Sequence, residues 1–207
     1  MNKYLNSTFY FDSEHPDIQS FVQKITKGKT SQKEKAIALY KAVRDGWPYN
    51  PSNLYHEKKD FKSSQIFSRT KGHCLDKSIL MITCCRAAGI PARLALAKVK
   101  NHIAAEKMIE KLGTDELVPH GYVEVFLDGK WVKNTPVFND TLCRFLNVAT
   151  LEFDGQNDSV FQEFDKEGGV FMEYLEDYGN FADVPFDLIF DLMRQHYPHF
   201  FEEFMPN

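Results

Sequence analysis

Residues 72–93 constrain the fold more than any other part of the chain. Apolar side chains recur there at helical spacings of three or four residues: Leu75, Ile79, Ile82 and Cys85. Gly89 is a typical helix stop, and Pro91 prevents the helix from continuing. The pattern therefore predicts a helix over about residues 75–88, with Cys74 at its N-terminus.

Residues 120–133 contain the clearest β-hairpin. Aromatic and β-branched residues fill both halves, and Asp128-Gly129 between them is a strong signal for a type I′ turn. The pattern predicts that His120 begins one strand. Residues 130–135 are expected to form the neighbouring antiparallel strand.

Two helices are predicted in the N-terminal third. The first begins near Pro16, because proline suits the first helical position, and stops at Gly28. Ser31 and Glu34 form the S-x-x-E pattern of a capping box ahead of the second helix, which ends by Gly46.

The C-terminal part of the chain differs in charge from the rest. Residues 150–207 carry 14 acidic and two basic side chains, so residues 1–149 are net basic. We interpret this as a solvated acidic face, although an acidic tail can also bind a basic body or select a basic partner. Residues 171–179 and 185–198 have helical patterns, as do residues 101–113.

Cys74 is the residue best placed for chemistry. Free N–H groups and the dipole of a helix N-terminus stabilise a thiolate. Gly72, just before Cys74, allows an unusual backbone conformation. His120, at the predicted start of a strand, is a candidate base. The Cys74 N–H and one further donor would then hold the oxyanion of an acyl-transfer reaction.

Two motifs resemble those of the transglutaminase-like superfamily. G-H-C-L-D-K-S-I-L-M-I-T-C-C-R-A-A-G-I-P-A-R resembles the family's nucleophile segment, and H-G-Y-V-E-V-F-L-D-G-K-W-V-K resembles its histidine motif. The resemblance covers roughly residues 30–140. It implies that Cys74 is the nucleophile and His120 the general base.

The third catalytic position departs from that family's pattern. The family usually has an aspartate four residues after the tryptophan, whereas here Thr135 stands four residues after Trp131. We predict a triad of Cys74, His120 and Thr135. Neighbouring Asn134 would point to the other face of the strand, and Asp140 is a third possibility, supplied by the following turn. The other interpretation is a degraded triad in a non-catalytic relative.

Several further residues near the motifs have predicted positions. Gln65 and Trp47 are candidates for the second oxyanion donor, since both precede the nucleophile. Asp76 and Lys77 are predicted to face solvent. His73, beside the nucleophile, either lines the site or faces solvent, and we favour solvent.

The resemblance implies an α+β, cysteine-protease-like fold, in which the nucleophile helix packs on an antiparallel sheet. The predicted strands are residues 91–100, 120–127 and 130–135. We expect the whole chain to form a single transglutaminase-like domain. Its motif-bearing core would span about residues 30–140, and an acidic, Phe-rich, helical C-terminal extension would span about residues 150–207.

The function that follows is cysteine-dependent acyl transfer on a peptide or side-chain amide, through a Cys74 thioester. Hydrolysis of the protease or amidase type is favoured over cross-linking. The alternative is a catalytically inactive transglutaminase-like binding or scaffolding module. A third hypothesis is autoinhibition, with the Phe-rich acidic segment covering the site.

Composition and motifs also exclude several classes of protein. The N-terminus has no apolar signal-peptide core and no apolar run is long enough to cross a membrane, so we expect a cytoplasmic protein. No metal constellation, cofactor fingerprint or nucleic-acid-binding pattern is present, and the expected partner is a peptide or protein substrate. The sequence does not set the oligomeric state. Four free thiols are expected: Cys74, Cys84, Cys85 and Cys143.

Overall fold

The computed structural model describes residues 1–51, 55–102, 109–110, 112–160, 167–170 and 172–199. The helices are α1 (Pro16–Thr26), α2 (Gln32–Gly46), α3 (Ser63–Phe67), α4 (Cys74–Ala87), α5 (Asp140–Phe145) and α6 (Phe186–His196). The strands are β1 (Ala92–Asn101), β2 (Glu116–Leu127), β3 (Lys130–Asn134) and β4 (Met172–Phe181), and 3₁₀ turns cover Asn2–Tyr4 and Lys58–Phe61.

The four strands form one antiparallel sheet in the order β3-β2-β1-β4. The predicted hairpin is confirmed, since Asp128 and Gly129 both have positive φ, as a type I′ turn requires. β2 begins at Glu116, so His120 lies inside the strand and not at its start. It is paired there with Ala97 of β1.

The capping box predicted for α2 is also confirmed. Ser31 Oγ accepts a hydrogen bond from the Glu34 N–H at 3.1 Å, and the Glu34 carboxylate accepts from the Ser31 N–H at 3.0 Å. These two bonds satisfy donors that a helix N-terminus leaves free. They also lower the pKa of Glu34 to about 2.

The helix predicted over residues 171–179 is wrong, because this segment lies in β4. β4 pairs only with β1, and most of its side chains are partly or fully exposed. Its acidic residues therefore face solvent on an edge strand, and pairing with β1 overrides their helical preference. The helix predicted over residues 185–198 is confirmed as α6. The one predicted over residues 101–113 lies largely outside the described residues.

Buried apolar side chains cover both faces of the sheet. On one face, α1, α2 and α4 pack against Leu94, Leu96 and Val123. The other face carries a smaller cluster around Ala97 and Tyr122, covered by residues that follow β3 and by α5. The structure thus has the α+β arrangement that the sequence predicted, with the nucleophile helix against an antiparallel sheet.

α4 is buried on every side and not only along one stripe. Its residues from Leu75 to Arg86 are all buried, including two that were predicted to face solvent, Asp76 and Lys77. Asp76 pairs with Arg69 at 2.9 Å. Because both charged groups have partners inside the protein, periodicity of apolar residues could not locate them.

Gly121 brings β2 close to the start of α4. A Cβ atom at this position would lie 2.7 Å from Leu75 Cδ2 and 3.4 Å from Leu75 Cα. Ser78 Oγ also donates to the Gly121 carbonyl at 3.0 Å. A Cβ atom next to His120 would therefore force the Leu75 side chain to move, so glycine suits this position, where β2 closely approaches the N-terminus of α4.

Close packing, and not an unusual backbone conformation, favours glycine at position 72. Gly72 is absent from the glycines with positive φ, which contradicts the unusual conformation predicted for it. A Cβ atom there would instead lie 3.1 Å from Asp76 Cβ and 3.3 Å from Lys77 Cγ. The first turn of α4 thus packs directly on the segment that leads into it.

All four cysteines carry free thiols. In the described part of the chain, no helix combines the length and apolar character needed to span a bilayer. Nor do the described residues include a group of three or more His, Cys, Asp or Glu side chains arranged to hold a metal ion.

Candidate active site

Cys74 is the first residue of α4 and is partly exposed. The first N–H groups of a helix have no intrahelical acceptor, so the Cys74 N–H is available to a ligand. The other three cysteines are buried. Burial raises the pKa of Cys84, Cys85 and Cys143. Cys74 is therefore the one thiol of the four with both a polar environment and access to solvent.

His73 caps the nucleophile helix and lines the pocket beside Cys74, which is the less favoured of its two predicted positions. Its Nδ1 accepts from the Asp76 N–H at 3.3 Å, and the Asp76 carboxylate accepts from the His73 N–H at 3.1 Å. The imidazole is buried, and burial alone disfavours its charged form. The Asp76 carboxylate and Cys74 outweigh this and raise the pKa of His73. His-x-x-Asp has the spacing of a capping box, which is the sequence signal that could have located it.

His120 lies on the strand beside Cys74 and is 3% exposed. Burial disfavours the Cys74 thiolate, but hydrogen bonds and charge from His120 and then His73 more than offset it. The pKa of Cys74 falls to about 5. An ordinary cysteine has a pKa of about 8.5. The geometry thus brings two imidazoles to one thiol.

Thr135 and Asn134 lie on opposite faces of the sheet, as strand alternation predicted. Asn134 pairs with Val123 of β2 and Lys133 with Glu124, so Thr135, two residues on, shares the face of His120. His120 and Thr135 line one small cavity.

Two buried polar side-chain atoms at this cavity lack hydrogen-bond partners among the described residues. Among the described residues, neither His120 Nδ1 nor Thr135 Oγ1 has a hydrogen-bond partner, although both are buried. The Thr135 backbone is fixed, because its N–H donates to Ser159 O at 3.0 Å and its carbonyl accepts from the Tyr40 hydroxyl at 3.3 Å. Buried polar atoms without partners are costly, which makes this cavity unusual in the structure.

The remaining predicted site residues are not brought to the thiol. The Asp140 carboxylate binds Arg144 and accepts from Thr150 Oγ1 at 2.8 Å, and it does not line the His120 cavity. Gln65 is exposed on α3. Trp47 packs in the core, with its ring 5.4 Å from that of Phe67. Neither residue lines the pocket at Cys74.

Tyr49 lines the pocket beside Cys74, and no pattern in the sequence predicts this position. It forms an isolated parallel bridge with Gly72, two residues before Cys74. Bonds from Asn50 N to Gly72 O (3.0 Å) and from Gly72 N to Pro48 O (3.1 Å) fix this bridge. Burial and then Cys74 raise the pKa of the Tyr49 hydroxyl, which therefore stays protonated and able to donate.

A pocket of about 710 Å³, counted with its mouth, opens beside Cys74 and His73. Its other described lining residues are aliphatic, aromatic or proline, and they come from distant parts of the chain. The loop after α2, the start of β2 and α6 all contribute. Its described lining is mostly apolar, as in many ligand sites.

An antiparallel sheet packed on a helix that begins at a cysteine defines the cysteine-protease-like α+β class. The chain belongs to the transglutaminase-like superfamily, whose family model matches residues 19–136. No curated protein matches the chain.

Several solved structures are similar to this chain. A candidate cysteine protease from Cytophaga hutchinsonii is 16% identical over 90% of this chain, with a TM-score of 0.55. A candidate protease from Parabacteroides distasonis (17% identity, TM-score 0.41) and a TGase (22% identity, TM-score 0.39) each match over 64%. The chain spans 48%, 24% and 32% of those three proteins, respectively.

Proposed function

We propose that this domain catalyses acyl transfer from a peptide or side-chain amide through a thioester on Cys74. Cys74 is the nucleophile, His120 the general acid and base, and Thr135 a positioning residue for His120. The observation that carries the proposal is the depressed pKa of Cys74, which two neighbouring imidazoles produce at the free end of a helix. Water is our preferred acceptor, giving hydrolysis, and an amine is the second.

The proposed reaction has two steps, acylation of Cys74 and hydrolysis of the thioester. The Cys74 thiolate attacks the amide carbonyl carbon, the C–N bond breaks, and the His120 imidazolium gives its proton to the leaving amine. Neutral His120 then takes a proton from water, and the resulting hydroxide attacks the thioester and expels the thiolate. In both steps the Cys74 N–H donates to the oxyanion.

The alternative is a binding or scaffolding module that keeps the fold without turnover. Two features favour it. Thr135 carries no charge to stabilise an imidazolium, and its hydroxyl has no partner among the described residues. The depressed pKa of the partly exposed Cys74 favours catalysis, since a binding module has no need of a thiolate.

The direct test is acylation by an activated ester, followed by intact and peptide-resolved mass spectrometry. With p-nitrophenyl acetate, we expect one acetyl group on Cys74 within seconds at pH 7, and its loss to water on further incubation. Addition of a primary amine measures how the thioester divides between hydrolysis and amide formation.

The variants Cys74→Ala and His120→Ala are the controls. We expect no adduct in the first. In the second, acylation should still occur at pH 7, because the p-nitrophenolate leaving group needs no proton, whereas loss of the acetyl group to water should slow by at least about 100-fold, given the usual contribution of a general base. An acetyl-Cys74 that is lost equally fast in His120→Ala, or that never turns over, would support the binding module instead.

Thr135→Val tests the positioning role with a nearly isosteric side chain. Removing a buried hydroxyl without a partner is expected to leave the free energy of unfolding unchanged or slightly higher. Loss of the acetyl group from Cys74 to water should nevertheless slow by about tenfold, because the imidazole that acts as general base loses a group that can orient it. Thr135→Asp, which restores a carboxylate, should be faster than Thr135→Val. Equal rates in wild type and Thr135→Val would remove Thr135 from the mechanism.

A further inference from the structure

We propose that the pocket beside Cys74 binds a bulky apolar side chain of the substrate, and that α6 supplies one of its walls. The inference deepens the proposed function and rests on Cys74 being the nucleophile. It assigns the site a substrate class, and it gives the C-terminal part of the chain a role in specificity.

The lining of the pocket favours an apolar group. Around Cys74 and His73, the described walls include the rings of Tyr55 and Phe61 and the side chain of Leu112. Burying a side chain the size of leucine or phenylalanine against such walls removes apolar surface from water, which favours binding. No charged Asp, Glu, Lys or Arg side chain lines the described part of the pocket.

Two polar groups in the walls of the pocket already have partners within the protein. The Tyr197 hydroxyl accepts from the Val118 N–H at 2.7 Å and donates to the Glu116 carbonyl at 2.8 Å, which leaves its ring as a wall. His73 is held by Asp76. A charged side chain entering this pocket would lose its hydration without meeting an Asp, Glu, Lys or Arg partner in the described walls.

α6 is fixed to the strand that carries His120. Tyr197 follows directly on its last residue, and the two bonds of its hydroxyl reach β2 at positions 116 and 118. Leu192, Tyr197 and Val118 also form a small apolar cluster, with Met193 packed against it. The wall and the candidate base therefore share one rigid support.

This wall lies outside the part of the chain that the family model matches. That match ends at residue 136, whereas α6 covers Phe186–His196. Met193 and Tyr197 are thus features of the C-terminal segment added to the shared core. Through Met193 and Tyr197, the acidic C-terminal segment forms part of the pocket wall beside Cys74. This role of the two residues differs from autoinhibition.

The test is the rate at which haloacetamides of different side-group chemistry alkylate Cys74. The probes are iodoacetamide, N-benzyl-iodoacetamide, the anion iodoacetate and the cationic N-(2-aminoethyl)-iodoacetamide. Each rate is read on Cys74 by mass spectrometry and divided by the rate of the same probe with glutathione. We expect the benzyl probe to exceed iodoacetamide by about tenfold or more, consistent with burial of one ring, and to saturate. Neither charged probe should show such a gain.

Variants of α6 locate the effect. Met193→Glu places a carboxylate in the wall and is expected to abolish the benzyl preference and favour the cationic probe. Met193→Ala enlarges the pocket and should shift the preference towards a naphthylmethyl probe. Leu188→Glu, at an exposed position of the same helix outside the pocket, should behave as wild type.

The outcomes separate this inference from the proposed function. If Cys74 reacts fast with iodoacetamide at low pH but shows no benzyl preference, the apolar pocket is overturned and the nucleophile stands. If Cys74 reacts with iodoacetamide no faster than glutathione at low pH, the proposed function itself fails. A benzyl preference that survives in Met193→Glu would overturn the part assigned to α6.

Discussion

Replacing His120 with alanine is expected to move the pH profile of Cys74 alkylation upward by about two units or more. In wild type, hydrogen bonds and charge from His120 and His73 hold the pKa of Cys74 at about 5. The labelling rate should therefore rise through about pH 5 and then level off, since the thiolate is the reactive form. Without His120, burial and a single imidazole remain, and the rise moves towards neutral pH.

The midpoint of the profile is the quantity to measure. A two-unit shift lowers the thiolate fraction at pH 5 by roughly 50-fold. A more basic thiolate is also a better nucleophile, so the labelling rate falls several-fold less than the thiolate fraction does. Iodoacetamide labelling, read separately at each cysteine, resolves the midpoint without reference to absolute rate.

His73→Ala and the other thiols supply the comparisons. His73→Ala should shift the midpoint in the same direction by less, because His120 is the larger of the two contributions that lower the Cys74 pKa. Cys84, Cys85 and Cys143 are buried and should label slowly throughout. Identical profiles in wild type and His120→Ala would show that His120 does not act on Cys74, and the catalytic proposal would then fail.

Local signals in the sequence were reliable wherever neighbouring residues decide the structure. The Ser31–Glu34 capping box and the Asp128-Gly129 turn depend on side chains a few residues apart, and both form as predicted. β4 depends instead on a partner strand about 80 residues away. Its sequence is rich in good helix formers, so local preference gave the wrong element.

In the candidate site, too, local sequence patterns predicted some features, whereas others depend on contacts between distant parts of the chain. The helical pattern correctly placed Cys74 at the start of α4, and strand alternation correctly separated Thr135 from Asn134. Pairing of His73 with Asp76 inside the protein, and the bridge that brings Tyr49 beside Gly72, depend on tertiary packing. Spacing along the chain does not encode such contacts, except where a short pattern such as His-x-x-Asp happens to record one.

The second large effect concerns Lys77, one turn after the nucleophile. Its side chain is fully buried, and its Nζ donates to the carbonyls of Arg44 at 2.7 Å and Val137 at 2.6 Å. Burial is the main cause that lowers the pKa of Lys77, to about 7, against the attraction of Asp45. The ammonium is thus destabilised inside the fold, while the uncharged amine can keep both donors.

Wild type should therefore gain stability as the pH rises from 7 to 9. Over this range the unfolded chain, with an ordinary lysine pKa of about 10.4, binds more protons at this site than the folded chain. Deprotonation then favours the folded state by about 2 kcal/mol between pH 7 and pH 9. Lys77→Met cannot titrate, so the gap between the unfolding free energies of the two proteins should widen by that amount.

Urea unfolding at pH 7, 8 and 9 measures this gap, and the subtraction removes the contribution of groups common to both proteins. Lys24→Met, at an exposed position on α1, is the matched control and should run parallel to wild type. Lys77→Met also leaves two carbonyls without their donor, at a cost that does not vary with pH. Parallel curves for wild type and Lys77→Met would mean that the buried amine keeps its ordinary pKa. In that case, Lys77 holds α4 to the segment at Val137 as a charged group over the whole range.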